Sequence, residues 1–324
     1  MMSWPDFSYK QIIVHLTGGS GERIRYRADN ILIEDADGKI LLQHSCHKLF
    51  ALFIIGDTTL TSVAIRKAIS FAFPIILMNA NMKFVTAINC AAEGNTVLRK
   101  KQYTNPMELE ISKCIVKQKI NNQIGLLEML RYKSKEDSDA IHSLKNINTD
   151  SAKEAQELLG MEGFASRTFF AVYFRTLNWT RREPRCKHDI NNLLLDIGYT
   201  YIFNFIDSML SLYGFDKYYG VYHTCFYQRK SLVCDLVEPF RCIVDRRLRK
   251  AHGLRQINED DFFYKDNQYH LAYDKQAKYT SLFLKDILEQ KEKIFHYCQQ
   301  YYRWFMQNKP IEDFPVFDIS EITI

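Results

Sequence analysis

Four residues of this 324-residue chain stand where they could do chemistry: Glu162, His223, Asp235 and Glu238. Glu162 follows the apolar pair Leu158-Leu159 and precedes Phe164 and Ala165, so a carboxylate sits in apolar surroundings. His223 closes the short stretch Gly220-Val221-Tyr222-His223. A lone Glu is more often an exposed helix charge, and a lone His more often a satisfied core or loop residue, than a ligand. Asp235 and Glu238 are three apart and therefore share a face if the segment is helical. Apolar neighbours place that face inward, and two inward carboxylates repel unless a cation or a proton compensates. Arg241, three beyond Glu238, makes a structural carboxylate–arginine cluster the plain alternative. Pro239 either interrupts a helix already running at Asp235 or opens a helix that begins later.

These residues need elements to hold them. The first hundred residues read as strands and tight turns: Ile12–Leu16, an Ile- and Leu-rich stretch from Ile24 to Ile33, and Ile40–Leu42 beyond Asp37-Gly38. An Asp-Gly pair between apolar runs predicts a hairpin with positive φ at both central residues. A helix is expected over Thr61–Phe71 with Thr61 or Ser62 as its N-cap, stopping before Pro74, with Ile75–Met78 as a buried strand. The basic stretch Arg99-Lys100-Lys101-Gln102-Tyr103 marks a boundary at 95–105, giving a β domain over 1–100 and an all-helical domain over 101–324. Ile190, Leu193, Leu194 and Ile197 follow one helix face, and Ile202, Ile206 and Met209 continue it to a C-cap at Gly214. Segment 133–153 is polar, lacks aromatic residues and reads as an exposed connection. The expected class is α+β: a small β domain followed by a larger α domain.

Bulk properties set limits. The apolar fraction of 47% supports a buried core rather than disorder. A net charge of +5 is too mild to identify a polyanion partner, so the location of the charges matters more. Eight cysteines at 46, 90, 114, 186, 225, 234, 242 and 298 show no C-x-x-C spacing and read as reduced core residues of a cytosolic protein. The N-terminus MMSWPDFSYK lacks a signal-peptide layout, and no apolar run approaches the ~20 residues that span a bilayer. No G-x-x-x-x-G-K-[ST] loop occurs. Arg181, Arg182, Arg185 and Lys187 precede the long helical face, and Arg246, Arg247, Arg249 and Lys250 follow Arg241. Such runs are usually solvated faces, but these bracket the candidate ligands, as a polyanionic substrate would need.

In this order the stretches resemble the CRISPR-associated endonuclease/integrase of spacer acquisition. The matching pieces are Glu162-Gly163, Asp189–Asn192 with Gly198-Tyr199, Gly220–His223, and Asp235-Leu236-Val237-Glu238-Pro239-Phe240-Arg241. The hairpin and the Arg99–Tyr103 linker fit as well, so the likeness spans nearly the whole chain. The Asp-Leu-Val-Glu form resembles the branch found with type V or type II single-effector systems. The resemblance implies that Glu162, His223 and Glu238 are metal ligands, that Asp235 supports them, and that the metal is Mg²⁺ or Mn²⁺. It implies transesterification, a protospacer 3′-OH attacking the repeat boundary, with associated endonuclease activity. It further implies a prokaryotic cytoplasmic protein that binds double-stranded DNA. Its homodimers would flank a small partner subunit, with no membrane involved. Arg99, Lys100, Arg181, Arg182, Arg185, Arg241, Arg246 and Arg247 are the DNA-contact candidates. Two rivals remain: a DNA-binding scaffold without catalysis, and an HD-type metal phosphohydrolase suggested by His188-Asp189. The latter lacks a convincing further His and Asp, and Asp189 more simply favours the positive end of the helix that follows.

Overall fold

The computed structural model describes residues 8–17, 21–79, 84–88, 95–177, 179 and 181–321; Cys90 and the first seven residues lie outside them. Two sheets come first. One orders β1 (Gln11–Leu16), β5 (Leu49–Ile55), β7 (Ile75–Met78) and β8 (Phe84–Ile88), with β1, β5 and β7 parallel and β8 antiparallel to β7. The other orders β4 (Ile40–Ser45), β3 (Asn30–Glu34), β2 (Arg23–Arg27) and β6 (Thr59–Leu60). The continuous apolar run of β5 is buried at every position, as a strand covered on both faces requires. Leu49, Leu52 and Ile54 build the core between the sheets with Ile24, Ile31, Ile33 and helix α1 (Ser62–Ser70). Phe50, Phe53 and Ile55 face the other way, into the helical half.

The hairpin β3–β4 forms as expected, but its turn differs. Asp35 accepts backbone N–H bonds from Asp37 (3.0 Å) and Lys39 (2.8 Å), and within Asp37-Gly38 only Gly38 takes positive φ. That side-chain anchor removes the need for a strained Asp37. The two-residue turn with positive φ at both positions is Ala28-Asp29, between β2 and β3, tied by the Tyr26–Asp29 hydrogen bond. Thr61 caps α1 by accepting from the Ala64 N–H at 3.2 Å.

Helices follow: α2 (Thr96–Tyr103), α3 (Glu108–Glu128), α4 (Lys135–Lys145), α5 (Ala155–Tyr173), α6 (Ile190–Tyr213), α7 (Ser231–Val237), α8 (Arg241–Gly253), α9 (Gln276–Glu289) and α10 (Lys291–Gln307). The basic stretch at Arg99 is thus helical. Segment 133–153, expected as an exposed connection, is largely exposed but carries a helix. A Ser134/Asp137 capping box starts α4, which buries Ala140 and Leu144, and Arg175 pairs with the buried Asp137 at 2.7 Å. Nor is the second half purely helical, because β9 (Phe262–Lys265) and β10 (Gln268–Leu271) form an antiparallel hairpin.

Helix α6 is buried nearly all round, as the axis of a bundle must be. Asp189 caps it, accepting from the Asn192 N–H at 2.7 Å, and Gly214 ends it at φ 82°. Phe50 and Phe53 of β5 meet Phe205 and Tyr201 of α6 edge-on, ring centres 5.6 and 6.1 Å apart, so one apolar core continues from the sheet into the bundle. Among the described residues no helix is long and apolar enough to cross a membrane. The described cysteines are free; Cys46, Cys242 and Cys298 are buried as expected, whereas Cys225 is exposed.

Candidate active site

Glu162 projects from the middle of α5, beside α3. Its Oε1 pairs with the Lys119 ammonium of α3 and accepts a hydrogen bond from Ser166 Oγ at 2.9 Å. Glu238 stands where α7 gives way to a 3-10 turn, Glu238–Phe240, before α8 begins. Pro239 causes that break, since its ring excludes a continuous α-helix running from Asp235. Asn122 of α3 steadies the turn. Its amide donates to the Pro239 carbonyl (2.9 Å) and the Phe317 carbonyl (3.1 Å), while its oxygen accepts from the Ile319 N–H (2.8 Å). Lys119 Nζ lies 2.7 Å from Glu238 Oε2, so one ammonium joins the two carboxylates.

Arg241 Nε lies 2.9 Å from the same Glu238 oxygen, and its guanidinium stacks 4.7 Å from the Tyr199 ring centre. Burial alone would raise the Glu238 carboxyl, but Arg241, Lys119 and His223 bring it down to about 2. Burial likewise opposes the charge on Lys119, but Glu238 and Glu162 outweigh it and its pKa is raised.

Asp235 is fully buried on α7 and organises the histidine loop. Its Oδ2 accepts from the Val221 N–H (2.7 Å) and the Tyr222 N–H (3.2 Å), and its Oδ1 from the His223 N–H (2.8 Å). Oδ1 also lies 2.7 Å from His223 Nδ1. A carboxylate only accepts, so Nδ1 donates its N–H to Asp235, which leaves Nε2 as the ring nitrogen not engaged by that acid. Gly220 is required for this approach, since a Cβ there would stand 2.7 Å from Ser231 Cβ and 2.8 Å from Asp235 Oδ2.

The donor set suits a hard divalent ion: two carboxylates converging on one cation, and an imidazole whose remote nitrogen is fixed by a buried acid. Glu238 Oε2 adds to the fit. It is buried, and its two charged neighbours stand at ion-pair distance without hydrogen-bond geometry. Among the described residues, however, no three His, Cys, Asp or Glu side chains stand close enough to enclose an ion, and Lys119 links the acidic pair.

A cleft of about 1220 Å³ opens beside Glu162 and Glu238, with Arg167, Arg181, Arg185 and Lys187 among its lining. Arg181 and Arg185 are exposed and Arg246 is half-buried. Other expected DNA-contact residues have structural work. Arg182 binds Asn192 (2.8 Å) and Asp196 (2.5 Å), Arg241 pairs with Glu238, and Arg99 donates to the Gly214 carbonyl at the end of α6 (3.1 Å). Arg247 is corrected outright. It is buried, bound to Gln256 (2.7 Å) and beside Asp286 (3.5 Å), because it lies on the inner face of α8. Lys100 is exposed on α2. His188 is exposed and Asp189 serves as the α6 cap, so that pair forms no metal centre of its own. Sequence reasoning missed Lys119 and Asn122. The sequence carries no signal for either: Val116, Ile120 and Ile124 keep ordinary helical spacing, and the polar residues between them read as a solvated face.

A two-sheet β half feeding a helical half that carries a buried acid–histidine site defines the class. The chain matches the family CRISPR associated protein Cas1 over residues 16–285 and belongs to it. The CRISPR-associated endonuclease Cas1 1 of Thermodesulfovibrio yellowstonii is 29% identical over 224 residues, covering 64% of this chain and 70% of the relative. The chain superimposes with TM-score 0.82 and 21% identity on a chain of a Cas6-RT-Cas1–Cas2 complex, covering 98% of itself and 37% of that longer chain. It also matches a casposase bound to integration product, with TM-score 0.78 and 19% identity over 96% of this chain and 93% of that one.

Proposed function

We propose that this chain is the integrase of CRISPR adaptation, joining DNA 3′ ends to the repeat boundary by transesterification. The observation that carries it is the convergence of Glu162 and Glu238 on one cation, beside a histidine locked by Asp235. Glu162, Glu238 and His223 Nε2 would hold Mg²⁺ or Mn²⁺, which supplies Lewis-acid stabilisation of charge developing on phosphate oxygens. Asp235 orients the imidazole through Nδ1–H, and the buried Glu238 stays ionised. Basic residues of the cleft hold the phosphodiester backbone.

In the reaction, the attacking 3′ oxygen forms a P–O bond, the resident P–O3′ bond breaks, and the proton passes to the departing 3′ oxygen through solvent. One phosphodiester replaces another, so no nucleotide cofactor is consumed. With water as nucleophile the same site cleaves DNA, in keeping with the endonuclease name of the T. yellowstonii relative. A relative bound to an integration product and another in a complex with Cas2 support DNA and a small subunit as partners. Homodimers, a cytoplasmic location and a type V or type II origin belong to the same proposal.

The test is a plasmid-joining assay with Mn²⁺ and a labelled duplex ending in 3′-OH or in 3′-deoxy. Only the 3′-OH fragment should become joined to repeat-containing plasmid, and without ATP. Equal joining of the 3′-deoxy fragment would exclude transesterification.

A further inference from the structure

Lys119 is a half-buried lysine with two acidic partners from different segments. Its side chain is 13% exposed, against 17% for Glu162 and 4% for Glu238. The carboxylates belong to α5 and to the turn after α7, and the ammonium from α3 is what joins them. Without it, the buried Glu238 and the half-buried Glu162 would face each other with Arg241 compensating on one side only, at considerable cost. A divalent ion taken up by the same carboxylates needs the oxygens that Lys119 now faces at ion-pair distance. Its positive charge would also stand against the ammonium at a few ångströms. The two cations therefore compete. Lys119 has somewhere to go, because it lines the open cleft.

Resting on the metal reading above, we propose that Lys119 is a resident counter-cation: it holds Glu162 and Glu238 together in the metal-free protein and is displaced toward the cleft when a divalent ion enters. The lysine thereby sets the metal affinity, weakening it in exchange for a preformed acidic pair. It acts through the two carboxylates and is a positioning residue. A purely structural lysine would behave oppositely, since its removal would disorder the site and weaken metal binding.

The experiment is a Mn²⁺ titration of the full chain without DNA, reading free Mn²⁺ by electron paramagnetic resonance, for wild type and Lys119→Met. Methionine keeps the linear stem and removes the charge. The expected result is Mn²⁺ binding by wild type and binding roughly tenfold tighter or more by the variant, a factor equivalent to about 1.4 kcal/mol. The variant should also lose more thermal stability in EDTA than in Mn²⁺. Equal or weaker binding by a folded variant would overturn the proposal while leaving the metal reading intact. Absence of Mn²⁺ binding in both proteins would overturn the metal reading, and the proposal with it. A second measurement needs no variant: acetylation of Lys119 in wild type by an amine-reactive ester, followed by mass spectrometry. Labelling should rise when Mn²⁺ is added, and unchanged labelling would contradict displacement.

Discussion

Asp235 and Asp245 are both buried, yet only Asp235 has a full set of donors. Asp235 takes three backbone N–H groups and the His223 ring. Asp245 takes the Tyr199 hydroxyl, with Arg241 and Arg182 farther off, and burial raises its carboxyl from 3.8 to about 7. An acid whose folded pKa is raised favours the protonated form in the fold. Its contribution to stability is therefore complete below about pH 4 and is lost as pH climbs through about 7. Asp245→Asn should remove that slope. Between pH 5 and 8 the unfolding free energy of wild type in urea should fall relative to the variant, by a difference on the order of a few kcal/mol. Parallel pH profiles for the two proteins would show that Asp245 stays ionised throughout.

At this scale the sequence was only partly legible. Spacing showed Asp235 and Glu238 as an inward pair, and burial confirms both. Their roles diverge because Pro239 ends α7 between them: Glu238 stands on the 3-10 turn beside Lys119, while Asp235 stays on α7 and binds the histidine loop. Glu162 and His223 looked ordinary, and only the family likeness singled them out. Lys119 gave almost no warning, since its neighbour Lys117 in the same helix is half-exposed and pairs at the surface with Asp150. Nothing in a sequence separates a lysine under a second helix from one in water.

At the scale of elements, local signals were read well and tertiary ones were not. Helix α1, its Thr61 cap, β7 after Pro74, and α6 from Asp189 to Gly214 followed directly from capping residues and periodicity. Helix α4 was missed although Ser134 and Asp137 form a capping box, because its apolar face amounts to little more than Ala140 and Leu144. The hairpin β9–β10 was masked by surrounding helices. The C-terminal segment could not have been placed from sequence at all. Gln118 and Asn122 bind its backbone at Pro315, Phe317 and Ile319 with side-chain amides, in place of a strand ladder. Through Asn122 the same segment steadies the turn that carries Glu238, and Phe317 lies 4.5 Å from the Phe240 ring centre.

For the whole molecule, charge location outweighs charge number. Several basic residues that looked like one DNA-binding face are divided by the fold. Arg247 is internal, whereas Arg181 and Arg185 stand exposed at the cleft. The double substitution Arg181→Glu, Arg185→Glu should weaken duplex binding at every sequence. It should also lower the slope of log affinity against log salt by about two, one for each phosphate that the arginines no longer neutralise. Arg247→Glu should instead lower the melting temperature, because it buries an acid beside Asp286. An unchanged salt slope in the double variant would mean that the cleft rim is only a solvated face.

The central claim is that Glu162, His223 and Glu238 act together on a phosphodiester bond. It is tested most directly by the plasmid-joining assay with the single variants Glu162→Ala, His223→Ala and Glu238→Ala, each first shown by circular dichroism to fold and by gel shift to bind duplex. The account predicts that all three lose metal-dependent joining while keeping duplex binding. Wild-type joining rates from any two of them would contradict it.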